Sequence, residues 1–182
     1  MKDSALIVVD MLYDFIDGSL ACQQAPEAVA ATVDYIGRHK GPILWIQDHH
    51  PANHSSFAEF GGPWPPHCVQ GTHGADIHEA LQPFVNEDLC FFKGEDPATE
   101  QYSGFEGKNA AGQSLAEVLE LLEIERLLIC GIATEFCVLN TAEDLMKAGF
   151  KVSVLKDCLA YVDAEGHQKA LEAMAAEGIR LI

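Results

Sequence analysis

The chain has 182 residues, of which 48% are apolar and 21% are charged, a composition typical of one folded domain with a sizeable core. Its 28 acidic and 11 basic residues give a formal net charge of −17. A surface of this charge repels phosphate backbones and anionic lipid, which argues against nucleic-acid and membrane partners. We therefore predict a single domain over residues 1–182 without either kind of partner.

Short apolar runs alternate with helical patterns along the chain. The predicted strands span residues 5–9, 43–46, 89–92, 126–132, 152–155 and 179–182, and the predicted helices span residues 25–38, 114–122, 135–148 and 164–177. Such alternation is typical of βαβ units. We therefore predict an α/β fold, with a doubly wound, parallel sheet of about six strands and helices on both faces.

The segment from residue 48 to residue 83 departs from this alternation. It is rich in Pro, Gly and His and shows little periodicity. A loop of this length inside a compact domain is usually functional or disordered. Its aromatic residues and the rigid prolines around Trp64 indicate an ordered loop.

The six cysteines show no paired spacing, and a chain of this length does not depend on disulfide bonds. We therefore expect reduced thiols and a cytoplasmic protein. The first apolar run is too short for the core of a signal peptide and lacks a cleavage site, so we expect the mature protein to begin where this sequence begins. No stretch predicts a transmembrane segment.

Three chemically active residues follow predicted strands. Asp10 follows the first strand, Lys93 the third, and Cys137 the fourth. Alone, each favours an ordinary role, as a turn former, a solvated lysine and a small buried residue. Ligands of open α/β sheets bind beyond the carboxyl ends of the strands, so we expect all three side chains in one crevice. There Asp10 accepts the thiol proton and Lys93 stabilises the resulting charge.

Cys137 is the predicted nucleophile. Small residues end the preceding strand and a helical pattern follows, which predicts that Cys137 lies in the first turn of a helix. We expect the free N–H groups and the positive end of the helix dipole to favour the thiolate. The same N–H groups can hold an oxyanion formed by attack on a carbonyl.

Residues of the metal-ligand type lie at the start of the long loop and within it. Asp48 and His50 follow the second predicted strand, and His67 follows two prolines within the loop. One carboxylate and two imidazoles are typical ligands of a divalent transition metal with open coordination positions. His54 is a further candidate ligand, although its context favours a structural role. His49 should point away from His50 if strand geometry persists.

Motifs along essentially the whole chain carry a family resemblance. They are Val8-Val-Asp10-x-x-x-Asp14-Phe15, Asp48-x-His50-Pro-x-Asn-His54-x-Ser-Phe57, Trp64-Pro-Pro-His67-Cys68-Val69, Phe92-Lys93-Gly94, Tyr102-Ser-Gly-Phe-Glu-Gly107 and Gly131-Ile-Ala-Thr-Glu-Phe-Cys137-Val138. Together they resemble the nicotinamidases (pyrazinamidases) of the isochorismatase-like cysteine hydrolase superfamily. The resemblance implies that family's fold.

The resemblance also assigns roles to individual residues. It implies a catalytic triad of Asp10, Lys93 and Cys137. It implies a cis peptide bond between Ile132 and Ala133, with the N–H groups of Ala133 and Cys137 forming the oxyanion hole. The implied metal ligands are Asp48, His50 and His67, with His54 the nearest candidate for a further ligand. The implied aromatic wall of the pocket consists of Phe15, Trp64 and Tyr102.

The implied reaction converts nicotinamide and water to nicotinate and ammonia through a cysteine thioester. Pyrazinamide is the second implied substrate, and zinc is the favoured metal, with iron and manganese as alternatives. Leu12 and Tyr13 replace the Gln-Asn pair of many relatives. Because a leucine cannot make an amide's hydrogen bonds, we expect this replacement to bear on substrate affinity and preference, and not on the class of reaction.

Three rival functions stay open at this point. The first is another small-amide or ureide hydrolase of the same superfamily. The second is a hydrolase that uses metal-activated water and an inert Cys137. The third is a metal-binding module without activity. Whether the protein forms a homo-oligomer is also open.

Overall fold

A computed structural model describes residues 4–182, and the expected start of the mature chain lies outside these residues. Six strands form one sheet: β1 (Ser4–Val9), β2 (Ile43–Asp48), β3 (Cys90–Lys93), β4 (Arg126–Gly131), β5 (Lys151–Leu159) and β6 (Arg180–Leu181). All neighbours pair in parallel, in the order β3-β2-β1-β4-β5-β6. The chain therefore reverses its direction of travel across the sheet between β1 and β4, which is where doubly wound sheets bind ligands.

Helices cover both faces of the sheet, which confirms the predicted fold class. They are α1 (Tyr13–Ile16), α2 (Ala25–Ile36), α3 (Leu115–Leu121), α4 (Leu139–Lys147) and α5 (Ala164–Ala176). Side chains of β1 alternate between two apolar cores, since Leu6 and Val8 pack with α1 and α2, whereas Ile7 and Val9 pack with the helices of the other face. None of the helices within residues 4–182 has the length and apolar run needed to span a bilayer.

Three local features differ from the sequence prediction. The first is α1, whose four residues are too few to give a helical period. The second is β5, which continues to Leu159 past a shift in its pairing with β4. The third is the helix predicted over 135–148, because a π-helical turn (Thr134–Val138) precedes α4. The single-domain boundary over 1–182 stays a prediction.

Short turns and isolated pairings give the 48–83 loop its shape. It contains 3-10 turns at Ala58–Phe60, His73–Ala75 and Gln82–Phe84. His50 pairs with Val69, and Phe57 pairs with Trp64. Phe57 is fully buried, and its ring centroid lies 5.7 Å from that of His50 and 5.4 Å from that of His67, so its side chain holds the loop around these histidines.

Candidate active site

The end of β1 meets the ends of β2 and β4 at Asp10. Its backbone N–H donates to the Ile46 carbonyl at 2.9 Å, and its Oδ1 accepts a hydrogen bond from the Asp48 N–H at 2.8 Å. Asp10 has a φ of 48°, in the left-handed region that few non-glycine residues adopt. On the other side of β1, Gly131 ends β4 with a φ of 130°, and a Cβ there would overlap the Val9 carbonyl. A glycine therefore allows β4 to approach β1 closely.

The ammonium of Lys93 lies at the centre of the strand ends. Parallel pairing of β2 with β3 aligns Lys93 with Asp48. The Lys93 Nζ lies 3.0 Å from Asp10 Oδ2 and 3.4 Å from Cys137 Sγ, and it also contacts Asp48 Oδ1. The ligand atoms of Asp10, Asp48 and Cys137 lie within 4.8 Å of one another, a spacing that suits a cation. Because Lys93 contacts all three, the protein supplies that cation itself.

Cys137 lies within the π-helical turn between β4 and α4. We expected it in the first turn of a regular α-helix, and the structure corrects that expectation. π-Helical turns are rare and are frequent at functional sites. The Ala133 carbonyl accepts hydrogen bonds from the N–H groups of Phe136 and Val138, each at 3.1 Å, which tightens the turn around the thiol. The peptide bond between Ile132 and Ala133 is cis, as the resemblance implied.

Burial dominates the electrostatics of these groups. Burial raises the pKa of Asp10 to about 6, although Lys93 opposes the shift. Burial also disfavours the charged form of Lys93, but the carboxylates of Asp10 and Asp48 outweigh this and hold its pKa well above the usual value. Burial raises the pKa of Cys137 well above its usual value, an effect that Lys93 only partly offsets. The resting site therefore favours a thiol beside a carboxylate and an ammonium.

Three ligand-type side chains form a second buried cluster. His50 Nε2 lies 3.3 Å from Asp48 Oδ2, and His67 Nε2 lies 3.8 Å from the same oxygen. The Nδ1 atoms of both rings lie 2.8 Å from backbone carbonyls, of Gly94 and Pro65, so each neutral ring directs an Nε2 lone pair at Asp48. His50 Nε2 is buried without a hydrogen-bond partner among the described residues. Imidazole lone pairs that converge on one carboxylate, with no hydrogen-bond donor between them, form a suitable site for a divalent cation.

Asp48 belongs to both clusters. Its Oδ1 contacts Lys93, whereas its Oδ2 faces the two imidazoles. Burial would raise its pKa, but the Lys93 ammonium holds the pKa below the usual value. One ionised carboxylate therefore joins the nucleophile's surroundings to the candidate metal cluster.

His54 supports the cluster from outside. Its Nδ1 accepts a hydrogen bond from the Ser56 N–H at 3.2 Å, and its Nε2 donates to the Thr99 carbonyl at 3.2 Å. Both nitrogens are therefore engaged, and the ring packs with its centroid 4.1 Å from that of His50. Gly94 lies on another side of His50, where a Cβ would overlap the imidazole. This arrangement favours the structural role of His54 over a ligand role.

His49 points away from the cluster, as expected from strand geometry. Its Nδ1 lies 2.9 Å from Glu95 Oε1, and its ring centroid lies 4.9 Å from that of Phe92. Asp48 and His50 therefore face one side of the β2 end, and His49 faces the other.

A pocket opens beside Cys137 and His67. Its lining includes the three aromatic residues implied by the resemblance, Phe15, Trp64 and Tyr102. The Trp64 Nε1–H donates to the Tyr102 hydroxyl at 3.2 Å, which fixes both rings. The structure adds lining residues that the sequence did not indicate: Leu20, Cys22, Glu100, Phe136 and Val162. Among these, Phe136 precedes Cys137 in sequence, and its ring centroid lies 5.2 Å from that of Trp64.

Leu12 and Tyr13, where the resemblance implies a Gln-Asn pair, do not line this pocket. Leu12 is fully buried and pairs with Ile77. The Tyr13 hydroxyl accepts a hydrogen bond from the Glu79 N–H at 3.1 Å, and its ring lies 3.9 Å from that of His73. Both residues therefore hold the end of the long loop.

Comparison with known proteins agrees with this geometry. A nicotinamidase/pyrazinamidase from Mycobacterium tuberculosis is 37% identical over 184 residues, covering 98% of this chain and 97% of the relative. The structure of the Pyrococcus horikoshii pyrazinamidase in complex with zinc matches with a TM-score of 0.86 and 39% identity, covering 99% of this chain and 98% of that one. A protein from L. infantum in complex with nicotinate matches with a TM-score of 0.88 and 33% identity, covering 100% of this chain and 93% of that one.

The isochorismatase domain model matches residues 4–182, which is nearly the whole chain. The match includes every strand of the sheet and every residue of the two clusters. Together with the full-length relatives, it shows that this chain belongs to the isochorismatase family.

Proposed function

We propose that this protein is an amidohydrolase that converts nicotinamide and water to nicotinate and ammonia. The observation that carries the proposal is the group of Asp10, Lys93 and Cys137 beside an aromatic pocket and a metal-type cluster. The names of the relatives support the substrate, and the nicotinate held by the L. infantum protein supports the product. The expected cytoplasmic location and single domain belong to the same proposal.

In the proposed first half-reaction, Asp10 accepts the proton of the Cys137 thiol as Sγ attacks the amide carbon. Lys93 stays protonated and offsets the charge on sulfur and carboxylate. The N–H groups of Ala133 and Cys137 hold the oxyanion. Protonated Asp10 then gives its proton to the departing nitrogen, so that ammonia leaves and a thioester remains.

The second half-reaction uses the same groups in reverse. Asp10 removes a proton from water as the oxygen attacks the thioester carbon. The carbon–sulfur bond breaks, the proton on Asp10 returns to the Cys137 sulfur, and the product leaves as nicotinic acid, which releases its carboxyl proton to solvent as nicotinate. The two protein groups that exchange these protons, Asp10 and Cys137, lie within 4.8 Å of one another in the resting structure. The other proton donors and acceptors belong to the bound reactants.

We further propose that Asp48, His50 and His67 hold one divalent metal ion, with zinc favoured and iron or manganese as alternatives. The lone pairs that converge in this cluster support a metal, and the zinc in the Pyrococcus horikoshii structure supports zinc. When bound, the ion would act as a Lewis acid that anchors the ring nitrogen of the substrate. Phe15, Trp64 and Tyr102 would hold the flat ring, because aromatic contacts contribute about 0.5–1.5 kcal/mol beyond burial.

His50→Ala is expected to lose most of the bound metal, because the remaining two ligands compete poorly with water. Elemental analysis of freshly purified protein measures this loss, with about one ion per chain expected in the wild type. His49→Ala is the matched control, since it removes the neighbouring imidazole that points to the other side. Full occupancy in His50→Ala, or equal losses in both variants, would refute the ligand assignment.

Nicotinamide is expected to be hydrolysed far more efficiently than benzamide, while pyrazinamide is accepted. Benzamide has the ring and the amide but no ring nitrogen, so it leaves the metal-type cluster unsatisfied and its ring free to misorient, and small misplacements at a reacting centre are costly. An ammonia-release assay over a panel of small amides measures kcat/KM for each. Equal values for benzamide and nicotinamide, or a higher value for an aliphatic ureide, would favour another hydrolase of the superfamily.

A further inference from the structure

A second cavity lies on the opposite face of β2 from the candidate active site. Successive side chains of a strand point to opposite faces, so Gln47 points away from Asp48. Gln47 and Phe92 line this cavity, together with residues between 71 and 87 from the end of the long loop and the segment that follows it. Its volume of about 360 Å³ is within the range of small-molecule sites.

The side-chain amide of Gln47 has no hydrogen-bond partner within residues 4–182, although only 8% of the residue is exposed. Neither amide atom is among the fully buried side-chain atoms of the described residues that lack a partner, so the amide reaches the open space of the cavity. Two other polar side chains around the cavity have protein partners: Gln82 Nε2 donates to the Ile77 carbonyl at 3.1 Å, and Thr72 Oγ1 donates to the Val69 carbonyl at 2.7 Å. Gln47 is therefore free to bind a molecule in the cavity.

The charged residues that line the cavity indicate which kind of molecule it can bind. Asp76 and Glu87 contribute carboxylates, and no lysine or arginine is among the described lining residues. Asp76 faces His73 at 3.5 Å, an exposed contact, whereas Glu87 has no ion-pair partner in the described part of the chain. The rest of the lining includes apolar groups, among them Phe92, Ile77 and Val85. The two carboxylates would repel an anion, and a fully polar solute would make no favourable contact with the apolar lining residues.

We propose that this cavity is a second ligand site, which binds a small organic cation with a flat apolar body and an N–H donor. The N–H donates to Gln47 Oε1, the positive charge faces Glu87, and the apolar body packs on Phe92. The site shares β2 with the candidate active site but opens on the opposite face, so its occupancy does not depend on the proposed amidase reaction.

Benzylammonium is the probe that tests this site, because it joins an ammonium donor to a phenyl ring. Benzyl alcohol and benzoate are its neutral and anionic counterparts. In an NMR titration of the metal-loaded enzyme, benzylammonium is expected to shift backbone signals of residues 71–76 and 82–87 and to saturate. Benzoate is expected to leave those signals unchanged, and benzyl alcohol is expected to bind at least about tenfold more weakly, since a charge-assisted hydrogen bond is lost.

Variants separate the second site from the rest of the surface. Glu87→Gln and Gln47→Leu are each expected to weaken benzylammonium binding roughly tenfold, with nicotinamide hydrolysis unchanged in Glu87→Gln. Glu177→Gln is the matched control, because it removes an equally exposed charge beyond α5, on the other face of the sheet. Shifts confined to the pocket of Phe15 and Trp64, equal effects of Glu87→Gln and Glu177→Gln, or equal binding of benzoate would overturn the proposal.

Discussion

Cys137→Ala is expected to abolish nicotinamide hydrolysis and to leave the fold and the metal content intact. Cys137 is the one thiol among the described residues that contacts Lys93, whose other partners are the carboxylates of Asp10 and Asp48 and the Gln101 carbonyl, so no second thiol is placed to form the thioester. Loss of a nucleophile that acts with its base as a unit costs on the order of 10⁴-fold or more in kcat. Ammonia release measures the turnover, and thermal unfolding with elemental analysis verifies the folded, metal-loaded state.

Cys22→Ala provides the matched control for this experiment. Cys22 also lines the pocket, but its Sγ contacts the Leu20 carbonyl at 3.4 Å instead of Lys93. Its substitution removes a second pocket thiol and should leave activity within about tenfold of the wild type, as expected for a small change of packing. Cys137→Ala activity within tenfold of the wild type would rule out covalent catalysis through Cys137. Resistance to iodoacetamide would favour the rival that uses metal-activated water.

Much of the fold could be predicted because the sequence repeats one pattern. Buried strands give short apolar runs, and amphipathic helices give a 3.6-residue period, so all six strands and α2 to α5 were found. The four residues of α1 carry no period, and the π-helical turn around Cys137 has the residue pattern of an ordinary helix start. Both depend on tertiary contacts that local sequence does not encode.

The candidate site also has features that could be predicted from the sequence and features that could not. Residues at strand ends could be predicted to meet, because a parallel sheet brings the carboxyl ends of its strands to one edge. The position of the Lys93 ammonium among its three partners could not be predicted, since it depends on how the buried side chain packs in three dimensions. Glu100 and Val162 reach the pocket from loops that carry no periodic pattern, and the left-handed backbone of Asp10 has no signature in sequence.

Asp10→Asn is expected to lower kcat for nicotinamide by about 10³-fold with little change in KM, since general acid–base catalysis contributes roughly 10²–10⁴-fold. The side chain of Asp10 does not line the pocket, so substrate binding should persist. Asparagine has nearly the same shape and can still accept the Asp48 N–H hydrogen bond, which is 2.8 Å long in the native site. It cannot accept the Cys137 proton or deliver a proton to the leaving nitrogen.

The fold should survive this change because Lys93 keeps a second carboxylate. Removal of one partner from a buried ion pair usually destabilises a protein by about 3–5 kcal/mol when the other charge is left alone. Here Asp48 still contacts the Lys93 ammonium, so the cost should be smaller, and thermal unfolding measures it. Asp17→Asn removes an exposed charge directly after α1 and serves as the control. A tenfold or smaller loss of kcat in Asp10→Asn would mean that another group moves the protons, whereas a large rise in KM at constant kcat would assign Asp10 to binding.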